Sequence, residues 1–172
     1  MKDNGSLLND VNIDAVAGLA GKIQQQPEVA DTLWNATVHW KGGFRSEANV
    51  RDFAPIASDE PDALGGTDSG PNPVEQLLAA LGNCLAVGYA ANATAAGIKI
   101  NTMRIDLEGK LDLHTFLGLN DGNAGYSNIS VKVDIDSSAS AEQLQALNDK
   151  VVNSSPVGHT LSRAVPVEIT LK

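Results

Sequence analysis

The chain has 172 residues, 42% hydrophobic and 19% charged, a composition that can bury roughly 70% of the unfolded surface without disulfides or structural metals. Twelve Lys and Arg against 21 Asp and Glu leave a net charge of −9, which excludes the basic surface that nucleic acid or anionic lipid requires. The single cysteine excludes an intrachain disulfide, and with three scattered histidines it excludes the common zinc patterns.

The first residues, MKDNGSLLNDVNIDAVAGLAGK, lack a basic stretch followed by an unbroken apolar run, so no signal peptide is expected. No run of about 18 apolar residues suggests a membrane span, and a cytoplasmic protein is expected. Residues 9–26 predict an amphipathic helix. Val11, Ile13, Val16, Leu19, Ala20 and Ile23 recur at near-helical spacing, Asp10 or Asn12 is placed to cap it, and Pro27 ends it. This reads as an N-terminal extension, residues 1–31, ahead of a body of residues 32–172.

Trp34, Ala36, Val38 and Trp40 alternate with polar residues over 33–41, the pattern of a half-buried strand. Lys41-Gly42-Gly43 supplies a turn, Phe44–Phe53 a returning strand, and Ala54–Ala57 a third short one. The loop SDEPDALGGTDSGPNP follows, rich in Gly, Pro and Asp. Pro73 then opens a helix of about 24 residues that closes at Gly97; small or apolar residues all round it predict a buried central helix.

Two strands are expected next, Ile98–Leu113 and Gly125–Asp136, joined by the loop HTFLGLNDGNAG. Ile105, Leu107, Leu111 and Leu113 would share one face of the first, and Ile129, Val131, Val133 and Ile135 one face of the second. Ser140 and Gln143 spell a capping box before a helix that reaches Val152. SSPVGHTL gives a break and a helical turn, and Val165–Leu171 alternates as a last strand. The order helix, three strands, long helix, two strands, helix, strand is that of an α+β fold.

Cys84 is the one soft nucleophile, and it sits mid-helix among Leu77, Leu78, Leu81 and Leu85. Unpaired cysteines of this kind are more often small core residues than reactive ones. Glu75 lies nine residues earlier, which on a helix is the opposite face and about 13.5 Å away along the axis. A favourable charge in the first helical turn accounts for it equally well. Arg45 and Arg51, at the two ends of one predicted strand, are the arginines available to hold a thiolate; strand arginines are mostly solvated. Ser155 and His159 are four apart, a spacing that resembles a Ser/His nucleophile pair, but Ser-Pro is also the ordinary start of a helix. GGTDSG offers backbone amides to an anion yet lacks the lysine of a phosphate loop.

The segments GGFRS, GGTDSGPNPVEQLLAALGNCLAVGYA and SSPVGHTL, in this order over residues 33–172, resemble the OsmC/Ohr family of thiol peroxidases and osmotically induced proteins. The resemblance implies an α+β fold of antiparallel sheets around a long central helix and a second helix, in an intertwined homodimer. It implies that Cys84 is the peroxidatic cysteine and that Arg45, after the Gly-Gly turn, supports its thiolate. Glu75, matching to within one residue of register, would orient Arg45, and the second subunit would resolve the opposite-face problem. Ser155, with Arg51 a further supporting candidate, stands where two-cysteine members carry a resolving cysteine, and serine forms no disulfide. The resemblance thus implies reduction of organic hydroperoxides by a single cysteine, with an external thiol as reductant and no cofactor, metal, nucleic acid or membrane. The alternative is a stress-related or ligand-binding relative in which Cys84 is inert.

Overall fold

The computed structural model describes residues 7–171, which form two compact units. One runs from Asp14 to Leu77; the other joins the residues up to Ile13 with those from Leu78 onward.

In the first unit, helix α1 (Ile13–Gln25) is followed by a 3-10 turn at Pro27–Ala30. The predicted helix 9–26 is therefore shorter, with its start replaced by a separate 3-10 turn at Leu8–Asp10, where Asn9 and Asp10 take positive φ. Strands β1 (Thr37–Gly42), β2 (Arg45–Asn49) and β3 (Ile56–Ser58) form an antiparallel sheet in that order. Gly42 and Gly43 turn the first hairpin with φ of 96° and 59°, a region that strains any residue with a Cβ. Val38 and Trp40 lie opposite Ala48 and Ser46, so they share one sheet face. They are not half-buried as the alternation predicts: Trp40 is 74% exposed. Alternation tells which residues share a face, and another element must then cover that face.

In the second unit, helix α2 (Pro73–Ala95, within which the unit boundary falls) supplies the core. Leu81, Leu85, Tyr89 and Ala93, spaced by four, form a buried stripe with Ile98, Leu147 and Val151. Composition predicts burial all round, but among the residues of α2 only that stripe and the adjoining Thr94 are buried; Val87 is 70% exposed. Among the described residues α2 is the one helix long and apolar enough by length and composition to cross a membrane, a test that the core helix of a globular domain also passes. The helix ends as predicted at Gly97 (φ 70°): Ile98 N–H donates to Ala93 O and Gly97 N–H to Thr94 O, a Schellman motif whose following residue, Ile98, is buried.

Strands β4 (Ile100–Lys110) and β5 (Asn128–Ser137) pair antiparallel, with Ile105 opposite Val133 and Leu107 opposite Val131. Met103, Ile105, Leu107, Ile129, Val133 and Ile135 pack on the α2 stripe. Leu113 is not on this face. The strand stops at Lys110, and Leu113–Phe116 forms a helical turn, α3, capped by Asp112, which accepts from His114 N–H at 2.9 Å. Helix α4 (Ala141–Val152) opens with the predicted Ser140/Gln143 capping box, and α5 (Pro156–Leu161) with Ser155 as N-cap. The predicted last strand is absent among the described residues: 164–171 pair with no other strand. The Leu8–Asp10 turn is fastened to this unit by Asn9, whose amide donates to Thr94 Oγ1 (3.0 Å) and Ile98 O (2.9 Å) and accepts from Ile100 N–H (2.8 Å).

Candidate functional site

Cys84 lies three residues after Leu81 and one before Leu85, so the buried stripe of α2 fixes its direction; the side chain is half-buried. Its Sγ stands 3.3 Å from Oγ of Ser155, a residue 71 positions away in the chain. Ser155 is only 4% exposed. As N-cap of α5 it accepts a hydrogen bond from Gly158 N–H at 3.1 Å. A Cβ at Gly158 would stand 3.0 Å from that same Oγ, so glycine lets the cap close tightly.

Ser155 is also on the wall of a cavity of about 490 Å³ between α2, β5, α4 and α5. Leu81, Leu85, Val131, Val133 and Val152 make its apolar walls, and His159 stands at its edge, exposed. Inside it, the buried Tyr89 donates its hydroxyl to Asn148 Oδ1. Burial pushes the Tyr89 phenol up, so it stays a neutral donor. The Ser155 hydroxyl faces Cys84 and Gly158 N, and the bond from His159 to Ser155 is a backbone one, N–H to O, as in any helical turn.

The other sequence candidates belong to the unit of residues 14–77. Arg45 is exposed, and its Nε donates weakly to Gly42 O at 3.4 Å. Arg51 occupies a turn with φ of 49° and lays its guanidinium 4.7 Å over the Phe53 ring, a local cation–π contact. Glu75 closes a capping box with Asn72: Asn72 N–H donates to Glu75 Oε2 and Glu75 N–H donates to Asn72 Oδ1, both at 2.9 Å.

Asp59 is a residue the sequence reading passed over. It is 1% exposed, and its carboxylate accepts from Glu60 N–H, from the N–H and Oγ1–H of Thr67, and from the N–H and Oγ–H of Ser69. These bonds, the Thr67 hydroxyl first, hold the Asp59 carboxyl well below the usual carboxylate range. The GGTDSG loop does present amides to an anion, and that anion is the protein's own Asp59. Gly66 is required here, since a Cβ would fall 1.7 Å from Glu60 O. The Thr and Ser at alternate loop positions were the available signal; nothing local named the acid they would serve. No group of three or more His, Cys, Asp or Glu capable of holding a metal occurs among the described residues.

The OsmC-like protein family matches residues 66–170, more than half of the chain, and so includes both α2 with Cys84 and α5 with Ser155. The chain belongs to the OsmC-like protein family. Among solved structures it is similar to an OsmC-like protein of Mycoplasma pneumoniae, with 24% identity, a TM-score of 0.67, and coverage of 77% of this chain and 89% of that one. It is similar to an organic hydroperoxide resistance protein, OsmC, of Legionella pneumophila (16% identity, TM-score 0.59, 76% and 91% covered). It is also similar to an organic hydroperoxide resistance protein of Elizabethkingia anophelis (18% identity, TM-score 0.58, 75% and 89% covered). At these identities the likeness is one of fold. No curated protein matches the chain.

Proposed function

We propose that this OsmC-like protein is a thiol-dependent peroxidase that reduces organic hydroperoxides through Cys84. The observation that carries the reading is the placement of the chain's single cysteine: half-buried, bonded to a buried hydroxyl that borders an apolar cavity. The names of the Legionella and Elizabethkingia structural relatives support the substrate class. The Cys84 thiolate attacks the terminal oxygen of the hydroperoxide. The O–O bond breaks, the organic fragment leaves as an alkoxide that takes a proton to become the alcohol, and sulfur is oxidised to a sulfenic acid. With no second cysteine in the chain, an external thiol condenses with the sulfenic acid, releasing water and forming a mixed disulfide. A second external thiol then attacks that disulfide, restores Cys84 and leaves as the oxidised disulfide. Apolar cavity walls favour an apolar organic group on the peroxide.

In this reading Arg45 supports the thiolate and Glu75 orients Arg45, as the family resemblance implies. The working form is a cytoplasmic homodimer. The free alternation of Val165, Val167, Ile169 and Leu171 supports the dimer: Ile169 is 88% exposed, and a second copy would cover it.

Intact-mass analysis and thiol titration test the proposal. Mixing the reduced protein with a stoichiometric organic hydroperoxide should remove the thiol rapidly and add one oxygen, faster than with hydrogen peroxide. Cys84→Ser should abolish the change. A thiol that survives minutes of exposure would sink the reading and leave a fold that serves binding.

A further inference from the structure

We propose that Ser155 is a positioning residue of this site, whose hydroxyl proton is aimed at the Cys84 sulfur and holds it in the reactive thiolate form; the catalytic part of this rests on the peroxidase reading above. A serine hydroxyl has one proton to give and two lone pairs to receive. Gly158 N–H occupies one lone pair of the Ser155 oxygen. At 4% exposure the residue has almost no access to solvent, and the sulfur at 3.3 Å is the acceptor within reach of the remaining proton. A neutral thiol can either give or receive this bond. A thiolate can only receive it, so the bond gains strength when Cys84 loses its proton. The backbone amide of Gly158 fixes the oxygen, so the hydroxyl is oriented before any substrate arrives.

The test is the pH dependence of Cys84 alkylation by iodoacetamide in the full-length protein, measured for wild type, Ser155→Ala, Ser155→Thr and Ser155→Asp. Loss of a hydrogen bond to a charged group corresponds to about a tenfold change in equilibrium. The Ala variant should therefore alkylate about tenfold more slowly at neutral pH, with its pH–rate profile moved to higher pH. Thr keeps both the cap and the hydroxyl and should restore the rate. Asp caps Gly158 as well as Ser does but has no proton to give and adds a like charge, so it should react more slowly than Ala. A residue that merely caps α5 would leave the profile unmoved in Ala; that result, or wild-type rates with Asp, overturns the assignment. If circular dichroism shows the Ala variant unfolded, Ser155→Gly, a favoured N-cap with neither hydroxyl nor charge, takes its place, and an unmoved profile there overturns the assignment. A wild type inert to hydroperoxide, beside a profile shifted by Ala, would remove the peroxidase reading and uphold the role of Ser155.

Discussion

Asp59 gathers five hydrogen bonds from Glu60, Thr67 and Ser69 in a site closed to solvent, and this predicts how stability depends on pH. Its folded carboxyl titrates below the unfolded value of 3.8. Its contribution is therefore complete above that value and drains away as pH falls toward the depressed folded one. Thermal melts of the wild type should lose stability below about pH 4. Asp59→Asn, which cannot change charge and turns an NH2 toward donors, should be less stable at neutral pH and show a flatter acid limb. An unchanged acid limb in Asp59→Asn would show that other carboxylates carry the effect. None of this was legible beforehand. The donors Thr67 and Ser69 are eight and ten residues from the acid, and composition identifies a loop without saying what it wraps.

At the scale of elements, α2 makes two close approaches that glycine permits. A Cβ at Gly88 would lie 2.9 Å from Cγ1 of Val151, and one at Gly82 would lie 2.8 Å from Cδ1 of Leu107. Similar distances predict different outcomes. Val151 is completely buried and β-branched, so it cannot turn aside, whereas Leu107 is half-buried and more free to adjust. Gly→Ala inside a helix gains about 1 kcal/mol of propensity. Overpacking against Val151 should cost more, leaving Gly88→Ala destabilised by about 1–2 kcal/mol in chemical denaturation. Gly82→Ala should stay within about 0.5 kcal/mol of wild type, because propensity and a small Leu107 shift offset each other. The reverse order would mean that the α2–α4 packing yields more easily than its burial suggests. The sequence placed both glycines on a crowded helix, but it did not distinguish their neighbours.

For the whole molecule, the apolar residues left uncovered set the expectation. Trp40 on the β1–β3 sheet and the 165–171 segment expose large side chains within a single chain. A strand-like segment with unpaired backbone is a template for association. Light scattering after size exclusion should give twice the chain mass of 17.9 kDa. Val167→Asp with Ile169→Asp should shift it to the monomer, with the far-ultraviolet spectrum of the helices retained. A monomeric wild type would remove the homodimer from the proposed working form.

What the sequence determined by itself is what lies within a few residues. The Schellman end at Gly97, the Ser140/Gln143 box, the Ser155-Pro156 helix start and the pairing faces of β4 and β5 follow from local hydrogen bonding and side-chain period. The family resemblance, carried by contiguous motifs, was legible for the same reason and is matched over residues 66–170. Tertiary structure alone decided which stripe of α2 is buried, that the GGTDSG amides serve Asp59, and that Cys84 meets Ser155 across 71 residues. It also decided that Val165–Leu171 forms no ladder among the described residues, because alternation specifies a strand's faces, whereas a ladder needs a partner edge that no local pattern encodes.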